Sequence, residues 1–303
     1  MPELPEVQTV VSDLEKKILG ATIVESWIDW PKMIKNPVKQ SKTTVSVKAL
    51  ADFQKNIIGK RVLAVERVAK NILIHLSEEY TLLIHQKMTG HILIGQWELG
   101  QKRAKPLSPK EIVEDPFNGY VHFVLRLDDG RMVGISDVRK FAKVLFAKTE
   151  IIRALPELVQ LGPDALSLGL KKKEMVEILG KQKRKIKTVL LDPKVVAGIG
   201  NIYSDDILWD AKVHPERRAA ELSLEERGRI YASMRRILKK AVRLRGTSTT
   251  DFRDTDGKRG GYAKELLVYQ RDGEPCFQCQ TLIKKTVVGG RSARFCQQCQ
   301  PRR

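Results

Sequence analysis

Cysteine is nearly absent from this chain: 303 residues hold four, and all four fall within the last twenty-eight. A chain so poor in cysteine along most of its length does not read as a disulfide-framed secreted module. No apolar signal-peptide stretch opens it and no long hydrophobic run interrupts it, so neither a secretory leader nor a membrane span is expected. A basic amphipathic anchor for a membrane surface is missing too. Internal repeats and low-complexity tracts are also lacking, which leaves packed domains, two or three for this length. Acidic residues are scarce relative to basic ones, 36 against 55, giving a formal charge of +19 and a pI near 9.8. One lysine cluster could be a solvated surface, but that accounts poorly for the whole excess. In a chain expected in the cytosol or nucleoid, it points first to nucleic acid.

The four cysteines form two pairs, Cys276-x-x-Cys279 and Cys296-x-x-Cys299, with sixteen residues between them. This is the spacing of a tetrahedral zinc site made of four cysteines. The expectation is one structural Zn2+, because four thiolates leave no open position for water. The segment between the pairs reads as a hairpin whose turn carries Gly289 and Gly290, followed by Arg291 and Arg294. Arginine beside glycine on a metal-braced loop suits an anion, and phosphate is the anion expected.

The chain opens Met1-Pro2-Glu3-Leu4-Pro5-Glu6-Val7. Val7, Val10, Val11, Leu14, Ile18 and Leu19 recur at helical spacing, with Pro5 in the first turn and Glu6 complementing the helix dipole. A second reading concerns chemistry. Initiator methionine is usually removed before proline, which would leave Pro2 as a secondary amine beside Glu3. Such an amine titrates near pH 8 and can attack a sugar C1′ to give an iminium.

From about residue 21 to 147 short runs rich in Ile, Val, Leu and aromatics predict strands over 21–30, 61–68, 71–76, 80–85, 91–97, 120–127 and 143–146. Many short strands with few helices argue for a β-sandwich or barrel. The stretch 101–119 is polar, holds Pro106, Pro109 and Pro116, and reads as a surface insertion. After about residue 149 the period turns helical. A helix is expected over 171–179, ended by Gly180, then a basic run over 181–187. Gly198, Gly200 and Asn201 precede a helix through Trp209, and exposed N–H groups there suit an anion. With Lys183, Arg184, Lys185 and Lys187 nearby, this stretch reads as a phosphate clamp. Ser223 and Glu226 make a capping box for a helix to about Leu244. Residues 246–263 read as a mobile glycine-rich joint.

The opening Pro2-Glu3-Leu4-Pro5-Glu6-Val7, the 195–203 stretch and the four-cysteine ribbon, in this order across almost the whole chain, resemble the bacterial formamidopyrimidine-DNA glycosylase family of the MutM type. The resemblance implies an α+β multidomain fold. It comprises an N-terminal catalytic β-sandwich domain with a flanking helix (1–149), a helix–two-turn–helix DNA-binding domain (150–250), and a lesion loop with a zinc finger (251–303), with DNA across the cleft. It also implies excision of oxidised purines such as 8-oxoguanine and formamidopyrimidines, followed by strand cleavage at the abasic site. The partner implied is double-stranded DNA carrying oxidised purines or abasic sites, bound by a monomer.

Residue by residue, the resemblance makes Pro2 the nucleophile, Glu3 the general acid and Glu6 a supporting carboxylate. Lys70 becomes the lysine of β-elimination, although from pattern alone it reads equally well as a solvated strand lysine. Arg291 becomes the finger arginine of δ-elimination and phosphate contact. Lys187, Asn201 and Tyr203 fall on the positions that grip the DNA backbone. Met88, Arg139 and Phe141 match a trio that fills the space left by an extruded base; for Met88 and Phe141 an ordinary core role is the alternative. The chain departs from the family pattern at Tyr120, which stands where a histidine usually touches DNA. Gln86-Lys87 replace a more neutral pair, the 101–119 insertion is long, and the loop Arg259-Gly260-Gly261-Tyr262 carries tyrosine in place of phenylalanine. These departures bear on lesion preference more than on chemistry. Two other readings are an endonuclease VIII-like enzyme for oxidised pyrimidines, which Leu4-Pro5 disfavours, and a non-enzymatic zinc-ribbon nucleic-acid-binding protein, which leaves Pro2-Glu3 unexplained.

Overall fold

The computed structural model describes residues 1–37 and 46–302. The chain divides into two compact units, Met1–Val159 with Arg245–Gly260, and Gln160–Leu244 with Gly261–Arg303.

The first unit holds helix α1 (Leu4–Ile18), strands β1 (Ile23–Ile28) and β2 (Ile34–Lys35), helix α2 (Val47–Ile57), and strands β3 (Val62–Val68), β4 (Asn71–Leu76), β5 (Tyr80–His85), β6 (His91–Leu99) and β7 (Ala104–Ser108). Helix α3 (Lys110–Glu114), strands β8 (Val121–Leu127), β9 (Met132–Ser136) and β10 (Lys143–Lys148), and the short helices α4 (Thr149–Arg153) and α5 (Pro156–Val159) complete it. Two five-stranded sheets result, ordered β1-β8-β9-β6-β7 and β2-β10-β5-β4-β3. All pairs are antiparallel except β10 with β2.

One core lies between the sheets. Phe123, Leu125 and Ile135 of one sheet meet Ile72, Ile74, Leu82 and Ile84 of the other, and Val7, Val10, Val11, Leu14 and Ile18 of α1 join them. The period-2 alternation of a strand sends the intervening residues outward. There Leu73, Leu83 and Leu145 pack on Ile152 of α4, while Leu93 and Val124 pack on Ala104 of β7 and Ile112 of α3. Covering both faces is why β4 and β5 read as continuous apolar runs rather than alternating ones.

Elements α2, β2, β7, α3 and β9 of this unit go beyond the sequence expectation. The stretch 101–119, expected as surface insertion, forms β7 and α3. Pro106 is tolerated because β7 is an edge strand. The stretch expected as a mobile joint also differs. Its 246–260 portion, with Arg245 just before it, is laid on the sandwich. Arg245 donates to Asp13 Oδ1 at 3.1 Å and to Asp254 Oδ2 at 2.9 Å, and Ile94 N–H donates to the Thr255 carbonyl at 2.7 Å.

The second unit holds α6 (Lys172–Gly180), α7 (Ile186–Leu190), α8 (Asn201–Asp210), α9 (Leu224–Arg243) and the hairpin β11 (Lys284–Val288) with β12 (Arg291–Phe295). The expected capping box opens α9: Glu226 N–H donates to Ser223 Oγ at 3.1 Å, and Ser223 N–H to Glu226 Oε2 at 2.8 Å. In the hairpin turn Gly289 and Gly290 take φ of 57° and 75°, the two-residue turn that matches strand twist. Among the described residues no helix is long and apolar enough to cross a membrane.

Candidate functional site

Pro2 and Glu3 are buried at the start of α1. The residue that holds them is Glu6, itself 1% exposed. Its Oε2 accepts the Glu3 N–H at 2.8 Å, and its Oε1 accepts the Thr247 N–H at 2.7 Å from the 245–260 stretch. One carboxylate therefore ties the N-terminal residues to a segment 241 positions away in sequence. Gly246 allows the approach. Its φ is +81°, and a Cβ there would lie 2.8 Å from Glu6 Oε1 and 3.2 Å from Glu6 Cα.

Lys70 sits in the tight turn between β3 and β4, next to Ala69, whose φ is 55°. Arg67 fastens this turn to α1: its Nε donates to Gln8 Oε1 at 2.7 Å and its Nη1 to the Ala69 carbonyl at 3.0 Å. Nearby, His85 Nδ1 accepts the Lys87 N–H at 3.0 Å. Burial, then the charges of Lys87, Lys70 and Lys143, push the His85 pKa down to about 3. A neutral imidazole thus lies among three cationic side chains, the arrangement that disfavours any further positive charge. Lys87 is itself shifted down, by burial first and then by Lys143.

The expected void-filling trio lies on two turns. Met88 is on the β5–β6 turn and is 37% exposed, while Arg139 and Phe141, on the β9–β10 turn, are exposed. The Arg139 guanidinium stacks 4.7 Å over the Phe141 ring. Neither Met88 nor Phe141 is a core residue, so the ordinary-core alternative does not hold for them. Asp137, fully buried, organises both turns. Its carboxylate accepts the N–H of Arg139 at 3.2 Å, of Phe141 at 2.7 Å and of Ala142 at 2.6 Å, and also the hydroxyl of Thr89 from the Met88 turn. Sequence reasoning assigned Asp137 no role; the signal available was a short acidic side chain two residues before Arg139, a position suited to bond its own turn. Tyr120 is exposed, with its carbonyl accepting the Asp137 N–H at 2.9 Å. His122, two residues on, is turned inward on Asp29 at 2.8 Å.

In the second unit Arg291 is exposed at the start of β12, just past the Gly289-Gly290 turn. Asn201, at the start of α8, donates its side-chain amide to Ser292 Oγ at 3.2 Å, which brings it beside Arg291. A Cβ on Gly289 would lie 2.8 Å from Thr188 Oγ1, so the hairpin turn also packs close to α7. Lys183, Arg184 and Lys185 are exposed as expected.

Two expected backbone grips are placed differently. Lys187 is 0% exposed, with its ammonium on the fully buried Asp205, and Tyr203 is 0% exposed with its ring 5.4 Å from that of Tyr262. Side chains with no exposed surface offer nothing to a phosphate. The basic run concealed this, because sequence alone does not say which lysine of four faces an aspartate. Asp205 also accepts the Arg294 N–H at 3.1 Å, and neighbouring Asp206 accepts the N–H groups of Leu267 and Val268 at 3.2 and 3.0 Å. Burial pushes Asp206 up to about 6 against those bonds. The two aspartates dock the cysteine module and its lead-in onto α8, a role that sequence reasoning missed although the pair stands mid-helix between Tyr203 and Ile207.

The four cysteine sulfurs lie within 4.8 Å of one another. Cys279 Sγ is 3.4 Å from Cys296 Sγ and 3.5 Å from Cys299 Sγ, and Cys276 Sγ is 3.9 Å from Cys299 Sγ. Disulfides require about 2.05 Å, so the two-disulfide reading does not hold. Four thiolates at about 2.3 Å around a tetrahedral ion would stand about 3.8 Å apart. The cage fits zinc.

Known proteins resemble this chain along its whole length. The family described as "Formamidopyrimidine-DNA glycosylase N-terminal domain" matches residues 1–144, "Formamidopyrimidine-DNA glycosylase H2TH domain" matches 161–253, and "Zinc finger found in FPG and IleRS" matches 273–302. The formamidopyrimidine-DNA glycosylase of Pelotomaculum thermopropionicum is 35% identical over 300 residues, 99% of each chain. That of Bacillus cereus is 34% identical over 303 residues, 100% of each. Among solved structures, Lactococcus lactis Fpg in complex with abasic-site DNA superposes with a TM-score of 0.82 at 29% identity, covering 99% of this chain and 100% of that one. A complex of a mutant of the same Lactococcus protein with Fapy-dG containing DNA gives 0.81 at 30% identity, with the same coverage.

Proposed function

This chain belongs to the formamidopyrimidine-DNA glycosylase family, DNA-repair glycosylases, and from that premise we propose that it releases oxidised purines, 8-oxoguanine and formamidopyrimidines, from duplex DNA and then cleaves the strand at the abasic site. The observation that carries the reading is the Glu6 tie, which fixes Pro2 and Glu3 in a buried, defined geometry at the head of α1. A mere helix start needs no anchor to a segment 241 positions away.

In the proposed mechanism Met1 has been removed and the Pro2 nitrogen is a secondary amine. Its lone pair bonds to C1′ of the damaged nucleotide. The C1′–N bond breaks, its electron pair leaves with the base, and the base gains a proton with Glu3 as the acid. Opening of the sugar ring gives an iminium between Pro2 and C1′. The iminium acidifies C2′–H, so loss of that proton expels the 3′ phosphate, and a second elimination expels the 5′ phosphate. Lys70 is assigned to the first elimination and Arg291 to the second, each as a cation facing a departing phosphate. Met88, Arg139 and Phe141 fill the vacated stack, on the rigid turns that Asp137 holds. Asn201, Tyr120, Lys183, Arg184 and Lys185 grip the backbone. We assign Lys187 and Tyr203 to holding that grip in shape from inside. One zinc on Cys276, Cys279, Cys296 and Cys299 braces the hairpin carrying Arg291 and takes no part in the chemistry. The enzyme works as a cytoplasmic monomer.

Borohydride added during turnover on an 8-oxoguanine duplex tests this. It should reduce the iminium and leave a covalent protein–DNA adduct on the N-terminal peptide, with Met1 absent. An adduct mapping to Lys70 would overturn Pro2 as nucleophile, and preference for an oxidised-pyrimidine duplex run alongside would overturn the purine assignment.

A further inference from the structure

We propose that the insertion at 101–119 is a latch for the 251–259 part of the glycine-rich stretch at 246–263, and that Asp115, Asn118 and Arg253 are positioning residues that fix where this part stands over an extruded base. The proposal rests on the proposed function and on the resemblance that makes the residues from 251 on the lesion loop, the part that would cover an extruded base.

Arg253 belongs to the loop but points away from solvent, at 0% exposure. Its Nε donates to Asp115 Oδ2 at 2.6 Å, its guanidinium lies 5.1 Å over the Phe117 ring, and its Nη1 donates to the carbonyls of Thr250 and Phe252. A basic residue in a DNA-binding protein has here been turned into an internal tie, since its charge is met by Asp115 rather than left for phosphate. Asn118, also fully buried, makes the second tie. Its Oδ1 accepts from His91 Nε2 at 3.0 Å, and its Nδ2 donates to the Glu111 carbonyl at 3.1 Å and to the Gly257 carbonyl at 3.5 Å. Gly257 has φ +80°, and a Cβ there would stand 2.7 Å from Asn118 Nδ2 and 3.0 Å from Ile112 Cγ1. Lys258 reaches Glu111 at 3.4 Å on the exposed edge. Every partner on the far side of these contacts lies in the insertion or in β6, so the loop inherits its position from the sandwich.

Such a latch matters for substrates with a base to cap and not for those without. Asp115→Asn leaves Arg253 buried opposite a neutral amide, and the loop should loosen. Release of 8-oxoguanine should fall about tenfold at saturating DNA, while cleavage of a preformed abasic site stays within about twofold, since that substrate has no base to hold. Trypsin, acting at exposed Lys258 and Arg259, should cut the variant several-fold faster than the parent chain. Gly257→Ala pushes the loop off Asn118 without disturbing a charge and should reproduce both effects if Asp115→Asn does not fold. Equal losses on the two substrates, or unchanged tryptic cleavage in a folded variant, overturn the latch. The tryptic arm needs no catalysis, so it stands even if the parent chain proves inactive on oxidised purines and the capping reading fails.

Discussion

Replacing Gly246 with alanine tests whether the Glu6 tie governs chemistry. Two penalties add at this site. The first is conformational: φ of +81° costs a residue with a Cβ about 1–2 kcal/mol. The second is a collision, because the new Cβ would stand 2.8 Å from Glu6 Oε1, 2.9 Å from Glu6 Cγ and 3.2 Å from Glu6 Cα. Both the side chain and the first turn of α1 must yield. Glu6 then loses geometry on the N–H groups of Glu3 and Thr247, bonds to a charged acceptor worth about 1.5–3 kcal/mol each. Gly59 supplies the control, with φ of +83° and nothing within 4 Å of a built Cβ, so alanine there meets only the first penalty. Single-turnover release of 8-oxoguanine should drop roughly ten- to hundredfold in Gly246→Ala, the cost of misplacing a reacting group by a fraction of an ångström to about 1 Å. Gly59→Ala should keep parental rates despite a lower unfolding midpoint, and both variants should bind DNA like the parent. Identical rates in the two variants would refute the claim that Glu6 positions Pro2 and Glu3.

Removing zinc with a chelator, or replacing Cys296 with serine, should abolish DNA binding while the sandwich keeps its strand signal in circular dichroism; simultaneous loss of both signals would contradict a separately built cysteine module. Arg139→Ala should slow base release severalfold more than cleavage of a preformed abasic site, measured on matched duplexes, and equal losses would reduce Arg139 to a phosphate contact. Asp206 gives a pH test. Its pKa lies near 6 in the folded chain against an ordinary 3.8, so the native state holds a proton that the unfolded chain has released, and folding weakens as pH rises through that window. Relative to Asp206→Asn, the parent should lose about 2 kcal/mol between pH 4 and pH 6.5 in denaturant unfolding, and a constant gap would mean the carboxyl does not titrate there.

What was legible in the sequence was whatever local spacing determines. The stripe from Val7 to Ile18 gave α1, Ser223 with Glu226 gave the start of α9, and the cysteine spacing gave a cage that fits zinc. The strands at 71–76 and 80–85 were read to the residue, because apolar runs closed by turn residues leave little freedom. Helix α2 was not expected although Val47, Leu50, Phe53 and Ile57 recur at helical spacing; only Phe53 and Ile57 of its eleven residues are buried. Strand β7 escaped because prolines in a polar stretch look like loop until an edge position excuses them. The candidate site was legible in its residue types and less so in its supports. Pro2, Glu3, Arg139 and Arg291 stand in named motifs. Glu6 with Thr247, Asp137 with Thr89 and Lys187 with Asp205 are pairings that only the folded chain closes.

The return of residues 245–260 to the sandwich sets an order of events in synthesis. The bonds from Thr247 to Glu6 and from Arg245 to Asp13 span 241 and 232 positions. A ribosome adding about 5–20 residues per second emits the last sandwich strand roughly five to twenty seconds before the segment that completes the unit. Throughout that interval Glu6 and Asp13 lack those partners, and the head of α1 is not held. The whole of the helical stretch at 160–244, with its basic surface, is made before the last tie can form. A nascent chain thus carries the basic surface of 160–244 before the head of α1, with the proposed nucleophile and acid, is held in place, and the proposed chemistry would be among the last properties the chain acquires.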